Sequence, residues 1–306
     1  MRIVSLLPSA TEIVCALGLG DDLVGVTDEC DHPPEVTTKP VVVRTALPHG
    51  LPRSAGEIDR AVRDRMERKE PLYVLERELI RELRPDVILT QDLCRVCAVP
   101  TGQVERALEE LGATDAKVLS LDPAALEDVL ETIRAVGKLL GREERAEELV
   151  GSLRERMARV RGTAERLPAI SVFCLEWSDP PFAAGHWVPE MVEAVGGVPL
   201  LSEKGASSRV VGWHQVAQAG PEVIVCMPCG YYLDEAEEEA TTLFRLPDFA
   251  DTPAAREGNV FAVDATSYFS RPGPRLVDGL ELLAWAVHPE AFAEPPPGRI
   301  ARVGPR

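Results

Sequence analysis

Residues 3–20 read Ile3-Val4-Ser5-Leu6-Leu7-Pro8-Ser9-Ala10-Thr11-Glu12-Ile13-Val14-Cys15-Ala16-Leu17-Gly18-Leu19-Gly20. The short run Ile3–Leu7 has the continuous apolar character of a strand buried on both sides. Pro8 ends it. Ser9 then stands as a helix N-cap, with Glu12 at the capping-box spacing, and Gly18 and Gly20 close the helix. The stretch is therefore predicted as strand, turn, helix. Read as an export signal it fails, because Pro8, Ser9, Thr11 and Glu12 interrupt the apolar run and no small-residue cleavage site follows. Glu12-Ile13-Val14 ahead of Cys15 is also a poor lipoprotein cleavage site. The expectation is a cytoplasmic chain with reduced thiols.

The same alternation continues outward. Strands are predicted at Leu23–Thr27, Asp86–Thr90 and Lys117–Ser120, with helices at Thr11–Leu17, Val74–Leu83, Gly102–Leu111 and Ala124–Leu140. Residues 52–71 read as a charged, solvated helix. In 142–167 the apolar positions Ala146, Leu149, Val150, Leu153, Met157, Val160, Ala164 and Leu167 recur at spacings of three and four, the pattern of one long amphipathic helix. Pro168 stops it. Strands at Ile170–Leu175, Val223–Cys226 and Val260–Val263 then alternate with helices at Val188–Val195, Glu235–Phe244 and Leu276–Ala286. Pro295-Pro296-Pro297 marks an extended tail. This βαβα rhythm predicts an α/β fold with mostly parallel sheets. Its organisation is two lobes, 1–141 and 169–306, joined by the helix at 142–168.

Composition narrows the function. Of 306 residues, 45% are apolar and 27% charged, which excludes disorder or coiled coil for the whole chain. The formal net charge of −17 disfavours binding to a phosphate backbone or an anionic membrane surface. No apolar run reaches the ~18 residues of a membrane span. Seven cysteines, an odd number, do not make a secreted disulfide framework. One Asn and four Gln are few thermolabile amides, as expected of a thermophile.

Several segments resemble the class III substrate-binding proteins of ABC importers, which bind cobalamin, haem or iron–siderophore complexes. They are Arg2-Ile3-Val4-Ser5-Leu6-Leu7-Pro8-Ser9-Ala10-Thr11-Glu12, Leu23-Val24-Gly25-Val26 with Pro33-Pro34, Leu83-Arg84-Pro85-Asp86-Val87-Ile88, and Pro180-Pro181-Phe182 with Gly196-Gly197. The cobalamin-binding group is the most similar, and the likeness covers about residues 1–290. It implies two rigid lobes, a connecting helix and a ligand cleft between the lobes. It also implies an exposed Glu on each lobe for a permease. The corresponding positions are Glu78 and, in the second lobe, His214, so permease docking is expected to be impaired.

In parallel α/β sheets ligands bind beyond the carboxyl ends of the strands. The candidates there in the first lobe are Pro8, Ser9, Cys30 and His32. In the second they are Glu176, Trp177, His186, Trp187, Tyr231, Tyr232, Phe269 and Arg271. Aromatics are only 5% of the chain, and several sit at these loops, where they can stack on a flat macrocycle. His32 is a candidate axial base for a corrinoid cobalt. Arg271 can meet a ligand carboxylate or phosphate.

Cys94–Cys97 and Cys226–Cys229 form two CxxC pairs, each at a predicted strand end. That spacing lets two thiolates reach one zinc or iron–sulfur centre. It is equally the spacing of a plain turn with buried thiols. No GxSxG, HExxH or GxxxxGK[ST] pattern is present. The leading expectation is a non-catalytic binder of a corrinoid or other metal-chelate ligand, with no nucleic-acid partner and no membrane insertion. Two alternatives are a metal or iron–sulfur protein, including a redox enzyme, built on the CxxC pairs, and the substrate-binding component of an ABC importer.

Overall fold

The computed structural model describes residues 1–47, 54–92, 99, 101–110 and 116–305. Two compact units divide the chain. One comprises Met1–Arg53, Arg60–Pro123 and Asp128–Val150; the other comprises Ser54–Asp59, Ala124–Glu127 and Gly151–Arg306.

The strands of the first unit are β1 (Ile3–Ser5), β2 (Leu23–Thr27), β3 (Val41–Thr45), β4 (Tyr73–Leu75), β5 (Val87–Thr90) and β6 (Lys117–Ser120). Its sheet runs β4-β3-β2-β1-β5-β6. All neighbours are parallel except β4, which lies antiparallel on β3. The helices up to the middle of the chain are α1 (Pro8–Ala16), α2 (Ala55–Glu67), α3 (Arg77–Leu83), α4 (Thr101–Glu110), α5 (Leu126–Leu139) and α6 (Glu143–Ala164). Val4, Leu6, Val42, Val43, Ile80 and Ile88 form the core of the unit. Gly25 is required on β2, because a Cβ there would stand 2.8 Å from Val42 Cγ1 and 3.1 Å from Leu83 Cδ1.

In the second unit β7 (Ile170–Ser178) is the longest strand. It is followed by β8 (Pro181–Ala183), α7 (Val188–Ala194), β9 (Gly197–Pro199), β10 (Arg209–Val210), α8 (Trp213–Ala219) and β11 (Val223–Cys226). Then come α9 (Leu233–Leu243), α10 (Pro247–Ala250), α11 (Pro253–Glu257), β12 (Val260–Val263), α12 (Ala265–Tyr268), α13 (Leu276–Val287) and β13 (Ile300–Val303). The sheet order is β10-β8-β7-β11-β12-β13, with β9 also on β7. Strands β7, β11 and β12 are parallel, and β13 closes the edge antiparallel to β12. β7 is long enough to pair with β9 through Ile170–Val172 and with β8 through Leu175–Ser178. Phe173, Phe249, Val216, Ile224 and Ala262 lie at the centre of its core.

The predicted α/β class is the observed one; the first sheet is mostly parallel, and among the described residues the second has three parallel and three antiparallel pairings. Three local readings change. Ser9 is not the N-cap of α1: Leu7 caps it and Pro8 is the first helical residue. Proline suits that position, since its missing N–H would be unsatisfied there in any case. Val74 belongs to β4 rather than to the following helix, which begins at Arg77. Tail residues Ile300–Val303, beyond the prolines, form a paired edge strand.

Candidate ligand-binding site

Each sheet has one place where the connections leave in opposite directions. In the first unit it lies between β1 and β5, and in the second between β7 and β11. Loops at such a point diverge and leave a crevice at the carboxyl ends of the strands. Pro8 and Ser9 follow β1, and Glu176 and Trp177 end β7, so both predicted groups do occupy these ends.

In the first unit several polar side chains at the strand ends bond one another. Thr11 Oγ1 donates to Ser5 Oγ at 2.8 Å, and Ser5 Oγ donates to the Leu7 carbonyl at 2.9 Å. The Cys30 sulfur lies 3.1 Å from Thr11 Oγ1 and 3.4 Å from Thr27 Oγ1. Cys30 and Ser9 are buried. This thiol therefore ties Thr11 of α1 to the end of β2. His32 is exposed and Pro8 half-buried.

The second unit carries the richer site. The chain after β11 keeps running beside β7: Met227 N–H donates to Leu175 O at 2.8 Å and Cys229 N–H to Glu176 O at 3.1 Å. That course brings Tyr231 against Trp177, edge to face, with ring centroids 5.6 Å apart. Trp177 Nε1–H donates to the Asp179 carbonyl at 3.2 Å, so its ring is fixed. Thr266 N–H donates to Tyr231 O at 3.1 Å, tying the loop after β11 to the start of α12. Tyr232 is 45% exposed. Its N–H is capped by the Glu235 carboxylate at 3.1 Å, in the first turn of α9. Burial, with Glu239 and Glu235 nearby, pushes the Tyr231 phenol up to about 12. It stays a neutral donor at physiological pH.

Glu176, the residue before Trp177 on β7, is half-buried and accepts from Ser208 Oγ–H at 2.6 Å. Burial pushes its carboxyl above the ordinary range, while Ser208 and the Gly185 amide oppose that shift. His186 has a left-handed backbone, φ 52°, and burial lowers its imidazole below the usual value, favouring the neutral ring.

Other predicted residues are packed inward. Trp187 is buried and its Nε1–H donates to the Phe269 carbonyl at 2.9 Å. Phe269 and Arg271 are also buried. Beside them, Tyr268 lies under Arg275 and Arg299, whose guanidinium carbons are 5.8 and 5.4 Å from the ring centroid.

The second CxxC pair is split by its place in the sheet. Cys226 is the last, buried residue of β11, and burial pushes its thiol up to about 12; Cys229 is exposed in the loop. Cys94 and Cys97 lie outside the described residues. Among the described residues no group of three His, Cys, Asp or Glu is placed to hold a metal ion. A groove of about 450 Å³ along Met157, Ala158, Arg161 and Gly162 of α6, opposite Glu190, contains none of the predicted ligand residues.

Ser208 escaped the sequence reading. It is 32 residues from Glu176, and only the antiparallel pairing of β8 with β10 brings it there. No motif or periodicity marks it.

The chain is 26% identical over 297 residues to the "uncharacterized ABC transporter substrate-binding lipoprotein YvrC" of Bacillus subtilis, covering 96% of this chain and 82% of that protein. It is 26% identical over 283 residues to the vitamin B12-binding protein of Vibrio cholerae, covering 92% and 86%. The periplasmic heme-binding protein RhuT from Roseiflexus sp. RS-1, in its apo form, superimposes with a TM-score of 0.69 at 26% identity, covering 95% of this chain and 98% of that one. No helix among the described residues is long and apolar enough to cross a membrane.

These relatives overturn the cytoplasmic expectation, since one is a lipoprotein and another periplasmic. The cysteine argument behind that expectation was too strong: an odd count excludes a complete disulfide framework, not a compartment. The chain belongs to the periplasmic binding protein family, which it matches from residue 3 to residue 266.

Proposed function

We propose that this protein is an extracytoplasmic, non-catalytic binder of a flat metal-chelate ligand, with a corrinoid as the preferred class. The observation that carries this reading is the fixed Trp177–Tyr231 pair, with Tyr232 exposed beside it, at the β7–β11 switch point. Aromatic faces and edges anchored by backbone hydrogen bonds offer a large apolar contact at little entropic cost. Glu176 and His186 are the proposed polar contacts of the same unit. Pro8, Ser9 and His32, at strand ends of the first unit, are proposed as the ligand contacts of that unit.

The partner class is an ABC permease, since a substrate-binding lipoprotein of such a transporter is among the relatives. Glu78 is exposed on α3 and paired with Arg81, and His214 is exposed in the first turn of α8. His214 in place of an acid weakens any docking that relies on carboxylates from both units.

Titration of the purified protein with cyanocobalamin, followed by its visible bands and by calorimetry, tests the ligand. Saturable band shifts with released or absorbed heat are expected. Neither signal at high micromolar ligand removes the corrinoid. Haemin run in parallel, binding where cyanocobalamin does not, moves the reading to a porphyrin.

A further inference from the structure

Glu176 is held from one side by a backbone-built strap. Ser208 Oγ–H donates to Glu176 Oε2 at 2.6 Å, and the same Oγ accepts the Gly185 N–H at 3.0 Å. Ser208 stands in the segment 203–208, which folds back on His186. There His186 N–H donates to Ala206 O at 2.6 Å, and Gly205 N–H donates to His186 O at 2.9 Å. Ala206 N–H reaches Glu203 O at 3.2 Å and closes a turn. Beyond Ser208 the chain enters β10, where Arg209 pairs with Ala183 and Val210 with Phe182.

At Gly185 a Cβ would meet the backbone of residues 206–208. The close approach of the two segments therefore depends on that glycine. The Ser208 hydroxyl is positioned by the backbone on both sides and not by a free rotamer.

We infer that Ser208 is a positioning residue, which fixes Glu176 Oε2 so that Oε1 faces an N–H donor of a bound ligand. The chemical class it selects is a macrocycle or chelate bearing peripheral amides. This rests on the proposed binding site at the end of β7.

The chemistry is that of a charge-assisted acceptor. A carboxylate fixed by Ser208, with the Gly185 amide also acting on it, loses little entropy when it meets a further amide N–H. Burial, and no charged neighbour, is what raises this carboxyl. The titratable groups on the surrounding elements are Cys174 on β7, His186 after β8, Glu203, Lys204 and Arg209 on and after the strap, and Tyr231 and Glu239 from the β11 loop and α9. The Glu239 carboxylate is engaged by the Ser178 hydroxyl. Loss of the Ser208 donor leaves the Glu176 anion less satisfied and raises its titration midpoint.

The test uses the full chain as wild type, Ser208→Ala and Ser208→Thr. The Glu176 midpoint is read by carbon-13 NMR of labelled glutamate, with Glu176→Gln assigning the signal. Cyanocobalamin affinity is measured across pH. In Ser208→Ala the midpoint is expected to rise by about one unit, from the usual strength of a hydrogen bond to a charged group. Affinity is expected to fall about tenfold at pH values below the wild-type midpoint, with binding regained as pH rises through the new midpoint. Ser208→Thr, which keeps the hydroxyl, restores both. A midpoint equal in all three proteins, or an affinity loss that is flat with pH and not rescued by Thr, overturns the inference. If wild type takes no cyanocobalamin, the ligand reading falls and the NMR midpoint still decides the role of Ser208.

Discussion

Gly185→Ala is the substitution whose cost follows most directly from the coordinates. The added Cβ would approach Ala206 O, Ser208 N at 2.5 Å and Ser207 C at 2.6 Å. All three are backbone atoms, so no rotamer change relieves the contact. The strap must retreat by roughly 1 Å to reach ordinary van der Waals separation. Three hydrogen bonds depend on its present position: Gly185 N–H to Ser208 Oγ, His186 N–H to Ala206 O, and Gly205 N–H to His186 O.

Overpacking costs about 1–3 kcal/mol, and each weakened hydrogen bond up to ~1 kcal/mol. Against this, replacing glycine lowers the entropy of the unfolded chain by about 0.4–1 kcal/mol. The net expectation is a loss of roughly 2–3 kcal/mol. Urea unfolding monitored by circular dichroism measures it. Gly151→Ala is the control: Gly151 lies within α6 with nothing within 4 Å of its added Cβ. It should gain about 0.5–1 kcal/mol from helix propensity alone. A Gly185→Ala protein as stable as wild type, with Gly151→Ala destabilised, would refute the reasoning.

Three further outcomes follow from the same geometry. Glu176 has a folded-state pKa raised by burial, so its stabilising contribution is full below the unfolded carboxylate pKa and is lost as pH rises through the folded value. Glu176→Gln cannot ionise and should therefore gain stability relative to wild type as pH rises from the unfolded carboxylate pKa of about 4 through the raised folded value; a difference that is flat or of opposite slope in parallel urea melts contradicts this. Among the described cysteines Cys229 is exposed while Cys30, Cys174 and Cys226 are buried, so iodoacetamide near neutral pH should label Cys229 first, with Cys174 and Cys226 labelled only on unfolding, as read by peptide mass spectrometry. Arg156 on α6 grips Glu281 with both Nε and Nη2, at 2.9 and 2.6 Å, and also reaches Asp278 of α13; Arg156→Ala should lose about 1 kcal/mol in low salt and less in high salt, and a salt-independent loss would point to packing instead.

The central strands were legible because they are buried on both sides. Val87–Thr90, Val223–Cys226 and Val260–Val263 are short apolar runs next to turn residues, and all their positions are buried. The long helix was legible from its period. The short strands of the second unit were not. β8, β9 and β10 contain two or three residues each, too few to show a period, and they exist because β7 and one another offer partners.

The same limit governs the site. Trp177 and Tyr231 could be placed at strand ends from sequence, but their contact depends on how the loop after β11 runs beside β7. Trp187 had the same sequence credentials as Trp177 and is instead buried against Phe269. Cys226 and Cys229 looked like one motif, yet the strand ends between them and gives one thiol to the core and the other to solvent. Ser208 had no signal at all, because its position comes from strand pairing far along the chain.

The central claim is that the rings at the end of β7 form the ligand wall. Calorimetric titration of cyanocobalamin into wild type, Trp177→Ala and Tyr231→Ala tests it most directly. Each substitution should weaken binding at least tenfold, the scale expected for removing a buried aromatic anchor at about 2 kcal/mol, in protein shown by circular dichroism to remain folded under the assay conditions. Wild-type affinity in both variants would contradict the account.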